Sequence, residues 1–266
     1  MSTTKRLFFA FEAIAPWPEK FPKGKMTQES DRHLTIAFLG EIDYQKFLHI
    51  LDRAPLPSFK VSPAGYCDKI LFLPPAKPHV VAYHFKTPLI NELVSYQKLL
   101  NEWLIGHEFI PHHHERPLLP HITLCRSPFE INKWKQAYSP LSVGLGSLRL
   151  YESLGNMEYE TIWEHSLFPP FVEIEHTADI AFIVRGDSVQ EVYNNAFYAL
   201  ATKEPKLLHY ESETAEIEKF EDIVRHLNAL ISRVDSKEGS SIKAISYHGR
   251  IKEKQQILDW EMIIDV

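Results

Sequence analysis

Arg32-His33-Leu34-Thr35-Ile36-Ala37-Phe38-Leu39-Gly40 decides how this chain is read, because its opening recurs at Pro120-His121-Ile122-Thr123-Leu124-Cys125-Arg126. Both stretches have the pattern of strands, and residues i and i+2 of a strand share a face. Each copy therefore offers a histidine and a threonine to one face and two apolar side chains to a core. Placed side by side, two such strands make a site of two imidazoles and two hydroxyls. That set suits reaction at a phosphodiester. A neutral imidazole takes a proton from the nucleophile, a protonated one gives a proton to the leaving oxygen, and the hydroxyls bond the non-bridging oxygens. An ordinary histidine pKa of about 6.5 serves both tasks near neutrality. A single H-x-T is more often a half-buried ladder pair; the repetition is what gives this one weight.

Outward from the two motifs, the chain alternates short strands and helices. Strands are expected at Lys5–Ile14, Phe59–Val61, Ile70–Leu73, Val80–Phe85, Leu148–Leu154 and Thr161–Leu167. Helices are expected at Asp43–Ala54, with Asp43 as N-cap, and at Pro88–Gly106, with Leu93, Tyr96, Leu99, Leu100 and Trp103 on one side. Phe168-Pro169-Pro170 reads as a joint between residues 1–168 and 171–266. Beyond it come strands at Val172–His176 and Ala181–Val184, and a helix from Ser188 to Thr202 opened by a Ser188/Glu191 capping box. A second helix spans Glu221–Val234, and strands at Ile242–Tyr247 and Trp260–Ile264 complete this half.

Length and composition set the bounds. The chain has 266 residues, 44% hydrophobic and 24% charged, which predicts a folded globular protein of two domains. It has no apolar run long enough for a membrane span, no secretory leader pattern and only two cysteines, Cys67 and Cys125, so a cytoplasmic location is expected. Residues 1–170 hold 18 Lys+Arg against 17 Asp+Glu and ten of the 14 histidines, whereas residues 171–266 hold 11 against 18. The near-neutral half can approach a phosphodiester; the acidic half suits a cation or a basic protein better.

The two motifs, with Arg6-Leu7-Phe8-Phe9-Ala10-Phe11 and Tyr151-Glu152-Ser153-Leu154, resemble those of the 2H phosphoesterases, and among these the LigT-like RNA 2′,3′-cyclic phosphodiesterases, also called 2′-5′ RNA ligases. The likeness spans about residues 5–168. It implies a bilobal α+β fold whose lobes each give one motif strand to a cleft. It also implies His33 and His121 as an acid–base pair, Thr35 and Thr123 as phosphate holders, and Arg126 as a further phosphate contact. No cofactor is implied for this reaction. Ala37 departs from the family, where many members carry Lys or Arg, so a weaker phosphate grip is expected on that side. His112-His113-His114 reads as a solvated loop, and Cys125 as core. Phe11, Tyr66 and Phe72 are candidates for stacking a base.

The second half resembles archease, a protein that assists RtcB-type RNA ligases. The likeness rests on Glu175-His176-Thr177-Ala178-Asp179-Ile180, Gly186-Asp187-Ser188, Asn194-Asn195-Ala196, Ile242-Lys243-Ala244-Ile245-Ser246-Tyr247-His248 and the closing Asp265-Val266. It implies a divalent cation, Ca²⁺ or Mg²⁺, held by Asp179, Asp265 and the α-carboxylate of Val266; oxygen ligands suit such hard ions. The segment between the second helix and Ile242 is shorter than in archeases. Together the two resemblances imply a small α+β archease-like module fused to a 2H enzyme acting on RNA ends that bear 2′,3′-cyclic phosphates. Reverse 2′-5′ ligation and an RtcB-type partner are implied as well. The alternatives are hydrolysis of a small cyclic nucleotide and a non-catalytic RNA-end-binding adaptor for a ligase.

Overall fold

The computed structural model describes residues 4–176, 179–213, 215–246, 251–254 and 256–266. Thr177 and Ala178 of the H-T-A-D stretch, and Tyr247 and His248 of the expected closing strand, lie outside the described residues.

Residues 4–165 build one eight-stranded antiparallel sheet from β1 (Thr4–Ile14), β2 (Lys25–Met26), β3 (His33–Asp43), β4 (Ala64–Leu73), β5 (Val80–Lys86), β6 (His121–Arg126), β7 (Leu141–Gly155) and β8 (Glu158–His165). The order β1-β3-β6-β5-β4-β7 returns to β1, because β7 also pairs with β1; β8 extends β7, and β2 lies on β6. The ring closes at one narrow seam, where β3 meets β6 through the single antiparallel pair Leu34↔Ile122. Alternation along β1 sends Leu7, Phe9 and Phe11 into the main core and Phe8 and Ala10 to the other face. α1 (Tyr44–Leu51) covers the core with Phe47 and Leu51, and Asp43 caps it by accepting from Lys46 N at 3.3 Å. α2 (Ile90–Gly106) buries Leu93, Tyr96, Leu100 and Leu104.

Three local expectations need correction here. Leu99 is 48% exposed, because the buried stripe of α2 runs through Leu100 and Leu104 instead. Residues 59–61 form no strand, only an isolated bridge from Val61 to Phe168. α3 (Ile131–Ala137) has no counterpart among the expected helices; it is short and buries one side chain, Trp134, stacked on Phe21. A seven-residue helix with one buried anchor leaves almost no periodic signal.

Residues 171–265 carry a second sheet of β9 (Phe171–Ile174), β10 (Ile180–Gly186), β11 (Ala244–Ile245), β12 (Lys252–Lys254) and β13 (Ile257–Asp265). Its order is β11-β13-β10-β9, with β12 on β13. Two helices join it, α4 (Val189–Lys203) and α5 (Phe220–Glu238). Ser188 caps α4 by accepting from Glu191 N at 3.2 Å, while the Glu191 carboxylate accepts from Asp187 N, one residue earlier than a capping box requires. α4 buries nine side chains, from Val192 to Ala201. It packs on its own sheet and also reaches the first: Ser142 Oγ donates to Tyr198 O at 2.7 Å, and the Tyr66 and Tyr198 rings stack at 6.3 Å. The expected joint is itself paired, with Ser62 N donating to Phe168 O and Phe168 N to Lys60 O. Among the described residues, no helix is long and apolar enough to cross a membrane.

Candidate active site

The seam pair Leu34↔Ile122 is the centre of the site. In an antiparallel ladder the residues on either side run in opposite order, so His33 comes opposite Thr123 and Thr35 opposite His121. The two H-x-T motifs thus meet head to tail around a local twofold axis, as the repeated sequence required. Leu34 and Ile122 point into the core and are fully buried.

Each motif strand also carries an extra residue just after its threonine. On β3, Phe9 faces Ala37 while Ala10 faces Thr35, so Ile36 is the bulge; on β6, Val81 faces Cys125 while Ala82 faces Thr123, so Leu124 is the bulge. A bulge re-aims the side chains beyond it. Ala37 and Cys125 both turn into the core, and Phe38 and Arg126 emerge on the site side. Ala37 is therefore not a lost phosphate contact, because its side chain does not face the site. Arg6 stands beside Phe38, its guanidinium 5.1 Å from the ring centre.

The imidazoles are held alike. His33 Nδ1 lies 2.7 Å from Asp31 O, and His121 Nδ1 lies 2.7 Å from Leu119 O, each a carbonyl two residues upstream. A carbonyl only accepts, so Nδ1 carries a proton in both rings and Nε2 is left for chemistry. Neither threonine hydroxyl, both half-buried, has a hydrogen-bond partner among the described residues. Both are available to an incoming oxygen.

Their surroundings differ. His33 is 9% exposed and sits against Phe8 at 4.8 Å, Tyr159 at 5.1 Å and Tyr151 at 5.5 Å between ring centres. Burial depresses its pKa to about 4; the Asp31 carbonyl opposes this, and the charges of His121 and Arg126 add to it. His121 is half-buried and is also lowered, chiefly by burial, with the Leu119 carbonyl opposing and His84 adding. His84 stands directly across from His121 on β5, its Nδ1 2.5 Å from Asp68 Oδ1. Sequence reasoning missed His84, since nothing local marks a residue that matters through a cross-strand pair. It also missed the aromatic wall of Phe8, Tyr151 and Tyr159. Of the candidates for stacking a base, Phe11 is fully buried in the core, and Phe72 packs on Phe129. Tyr66 lies against Lys86, away from the histidine pair. In the histidine loop, His112 and His113 are exposed and His114 is half-buried, and the His112 ring lies edge-on to Phe38 at 5.3 Å.

Asp179 and Asp265 come together at the edge of the second sheet. Ile180 pairs with Ile264 across β10 and β13, so Asp179 is one register step out, beside Asp265. His176 Nδ1 lies 3.8 Å from Asp179 Oδ2, and Lys243 Nζ donates to Val266 O at 2.7 Å. Among the described residues, no three His, Cys, Asp or Glu side chains cluster closely enough to hold a metal ion.

No protein-family model matches the chain. It is 29% identical over 138 residues to an RNA 2′,3′-cyclic phosphodiesterase of Thermotoga maritima, covering 47% of this chain and 68% of that protein. Among solved structures it is similar to E. coli LigT complexed with 3′-AMP, at 20% identity and a TM-score of 0.43, over 62% of this chain and 99% of that one. It is also similar to a protein of Thermus thermophilus, at 22% identity and a TM-score of 0.43, over 61% and 97%. The likeness to the Thermotoga protein supports the LigT-like 2H phosphoesterase resemblance of the two motifs; it does not bear on the archease resemblance.

Proposed function

We propose that residues 1–168 form a 2H phosphodiesterase domain that opens 2′,3′-cyclic phosphates at RNA ends and leaves a 2′-phosphate. The observation that carries this reading is the antiparallel seam, which faces each Nδ1-anchored imidazole with the other motif's free hydroxyl. His33, whose depressed pKa keeps it neutral, is the general base that takes a proton from water through Nε2. His121, the more open ring, is the acid that protonates the departing 3′ oxygen. Thr35, Thr123 and Arg126 bond the non-bridging oxygens as charge builds on them. With a 5′ hydroxyl in place of water, the same step joins it to the cyclic phosphate as a 2′-5′ linkage: His33 takes the hydroxyl proton and His121 protonates the departing 3′ oxygen. The test is turnover of an oligonucleotide ending in a cyclic phosphate, assayed in EDTA. A 2′-phosphate product is expected, and binding without turnover would leave an adaptor instead.

For residues 171–266 we propose an archease-like module that serves an RtcB-type ligase. The adjacency of Asp179 and Asp265 supports it, since two carboxylates side by side suit a hard cation. The fit is partial, because the Lys243 ammonium donates to an oxygen of the Val266 α-carboxylate and no third acidic side chain joins the pair among the described residues. No step of the phosphodiesterase reaction passes through a cation. If the pair binds Ca²⁺ or Mg²⁺, the melting temperature rises in millimolar cation and Asp179→Asn removes the rise. Mass action gives about 2.7 kcal/mol at a hundredfold excess over Kd. An unchanged melting curve would sink the cation site.

A further inference from the structure

Beside the histidine pair lies an open cavity of about 720 Å³, lined at the far end of β6 by Arg6, Lys25, His79 and Arg126, with Tyr159 on the inner side. None of its lining residues is a carboxylate. Among the described residues, Arg6, Lys25 and Arg126 form no ion pair, although 15 such contacts occur elsewhere. Three cations without an ion-pair partner among the described residues stand in a chain half whose overall charge is almost balanced. Such a concentration is costly in mutual repulsion unless an anion completes it.

The cavity is continuous with the site already described. Tyr159 meets His33 edge-on at 5.1 Å on one side and stands within electrostatic reach of Arg126 on the other. Lys25 lies directly across the ladder from Arg126, one strand spacing of about 5 Å farther out. Arg126 itself is three residues beyond Thr123, roughly 10 Å along the strand at most. Arg126, which bonds the cyclic phosphate in the reading above, thus marks the near edge of the cavity, and Arg6 and Lys25 lie just beyond it. A lone cyclic nucleotide held by the two threonines has no group to place there.

We infer that this cavity is a second phosphate subsite, which takes the phosphodiester joining the terminal nucleoside to the rest of an RNA chain. The inference rests on the cyclic-phosphate reading above for its orientation, and it adds the residues that grip the chain beyond the terminal nucleoside. Arg6 and Lys25 act as charges that hold the chain, and neither takes part in proton transfer. The same cations would accept a free 5′-phosphate, so the test separates the two sources.

Two measurements decide the matter. First, the affinity of a short RNA already ending in a 2′-phosphate is followed by fluorescence anisotropy against salt. Second, kcat/KM is compared for adenosine 2′,3′-cyclic phosphate, its 5′-phosphorylated form, and a dinucleotide with the same cyclic end. Lys25→Glu and Arg6→Ala should each weaken RNA binding about tenfold. Each should also reduce the slope of log affinity against log salt by roughly 0.7. The dinucleotide should lose kcat/KM through KM, while the unphosphorylated nucleotide changes less than threefold. Lys25→Ala, which leaves the backbone pairing of β2 intact, guards against misfolding. If the 5′-phosphorylated nucleotide loses as much as the dinucleotide, a free phosphate is the ligand and the chain assignment falls. Equal losses on all three substrates, or unaltered RNA binding, overturn the subsite. Cation-dependent RNA binding in a protein that turns over no cyclic phosphate would keep the subsite and refute the catalytic reading.

Discussion

β3 and β6 carry the same backbone device twice. Each runs histidine, apolar, threonine, bulge, small core residue, and then a side chain returned to the site, and each pins its imidazole on a carbonyl two residues upstream. What surrounds the two strands is not the same. β3 lies between β1 and its seam with β6, and β1 and β7 bring Phe8 and Tyr151 against His33. β6 lies beside β5, whose facing residue is another imidazole, His84, tied to Asp68. The backbone therefore creates two equivalent reactive groups, and the neighbouring strands make them unequal. Burial disfavours the charged form of both rings, and it lowers His33 the further, to about 4. Two facing imidazoles that share one proton already make an acid–base pair; the inequality decides which ring holds the proton.

The sharpest way to break the comparison is to delete one ring at a time. His33→Ala and His121→Ala should each cut kcat by about two to four orders of magnitude, the usual worth of a positioned acid or base. The double variant should be little worse than either single one, since the rings act as a unit. Losses that multiply in the double variant, or a loss confined to one histidine, would show that the twofold seam is not the reaction centre.

The same contrast shows what a sequence discloses. The i, i+2 spacing of His33 and Thr35, and of His121 and Thr123, is a local property and is legible at once. The bulges at Ile36 and Leu124 are not local, because a bulge exists only relative to a partner strand. For that reason Ala37 reads as a missing phosphate ligand in the sequence when it is a core residue in the fold. Arg6 and Lys25 come from β1 and from a two-residue strand inside an expected loop, so their convergence on Arg126 depends on tertiary pairing. α4 shows the same limit: its helical period is clear, but its burial on two sides follows from a second sheet that no periodicity announces. The element order is therefore largely readable, the two histidine–threonine pairs fully so, and the walls around them hardly at all.

Burial of His33 gives a second, smaller contrast, visible in stability rather than rate. Its folded pKa of about 4 lies below the ordinary value of about 6.5 expected when unfolded. Between those values the unfolded chain binds the extra proton, so stability present above pH 6.5 is lost as pH falls toward 4. The loss attributable to this ring approaches about 3 kcal/mol. His33→Phe removes the titration and keeps the aromatic packing, so its urea midpoint should fall less than that of the wild type between pH 7.5 and 4.5. His121→Phe, at the more open ring, should spare the protein less. Parallel curves for the wild type and His33→Phe would mean that His33 is not buried as a neutral ring.

The smallest expected effect concerns the difference on the β6 side. The proposed roles require His33 neutral and His121 protonated, so kcat/KM should rise with pH as His33 loses its proton near 4. It should fall again as His121 loses its own, below the ordinary 6.5 because burial, and then His84, disfavour the charged ring. The bell is thus centred on the acidic side of neutrality. His84 is among the groups that lower His121 and is not among those that act on His33. Replacing it with asparagine removes the electrostatic influence of His84 on His121 and leaves an amide able to bond Asp68. The protonated form of His121 then persists to higher pH, and the alkaline limb moves up while the acid limb stays in place. The maximal rate should change little, which separates this outcome from a general disturbance of β5. A limb that does not move would mean that His84 and His121 are electrostatically independent. Movement of both limbs together would mean that β5 holds the whole seam, and the inequality of the two rings would then need a cause other than their neighbours.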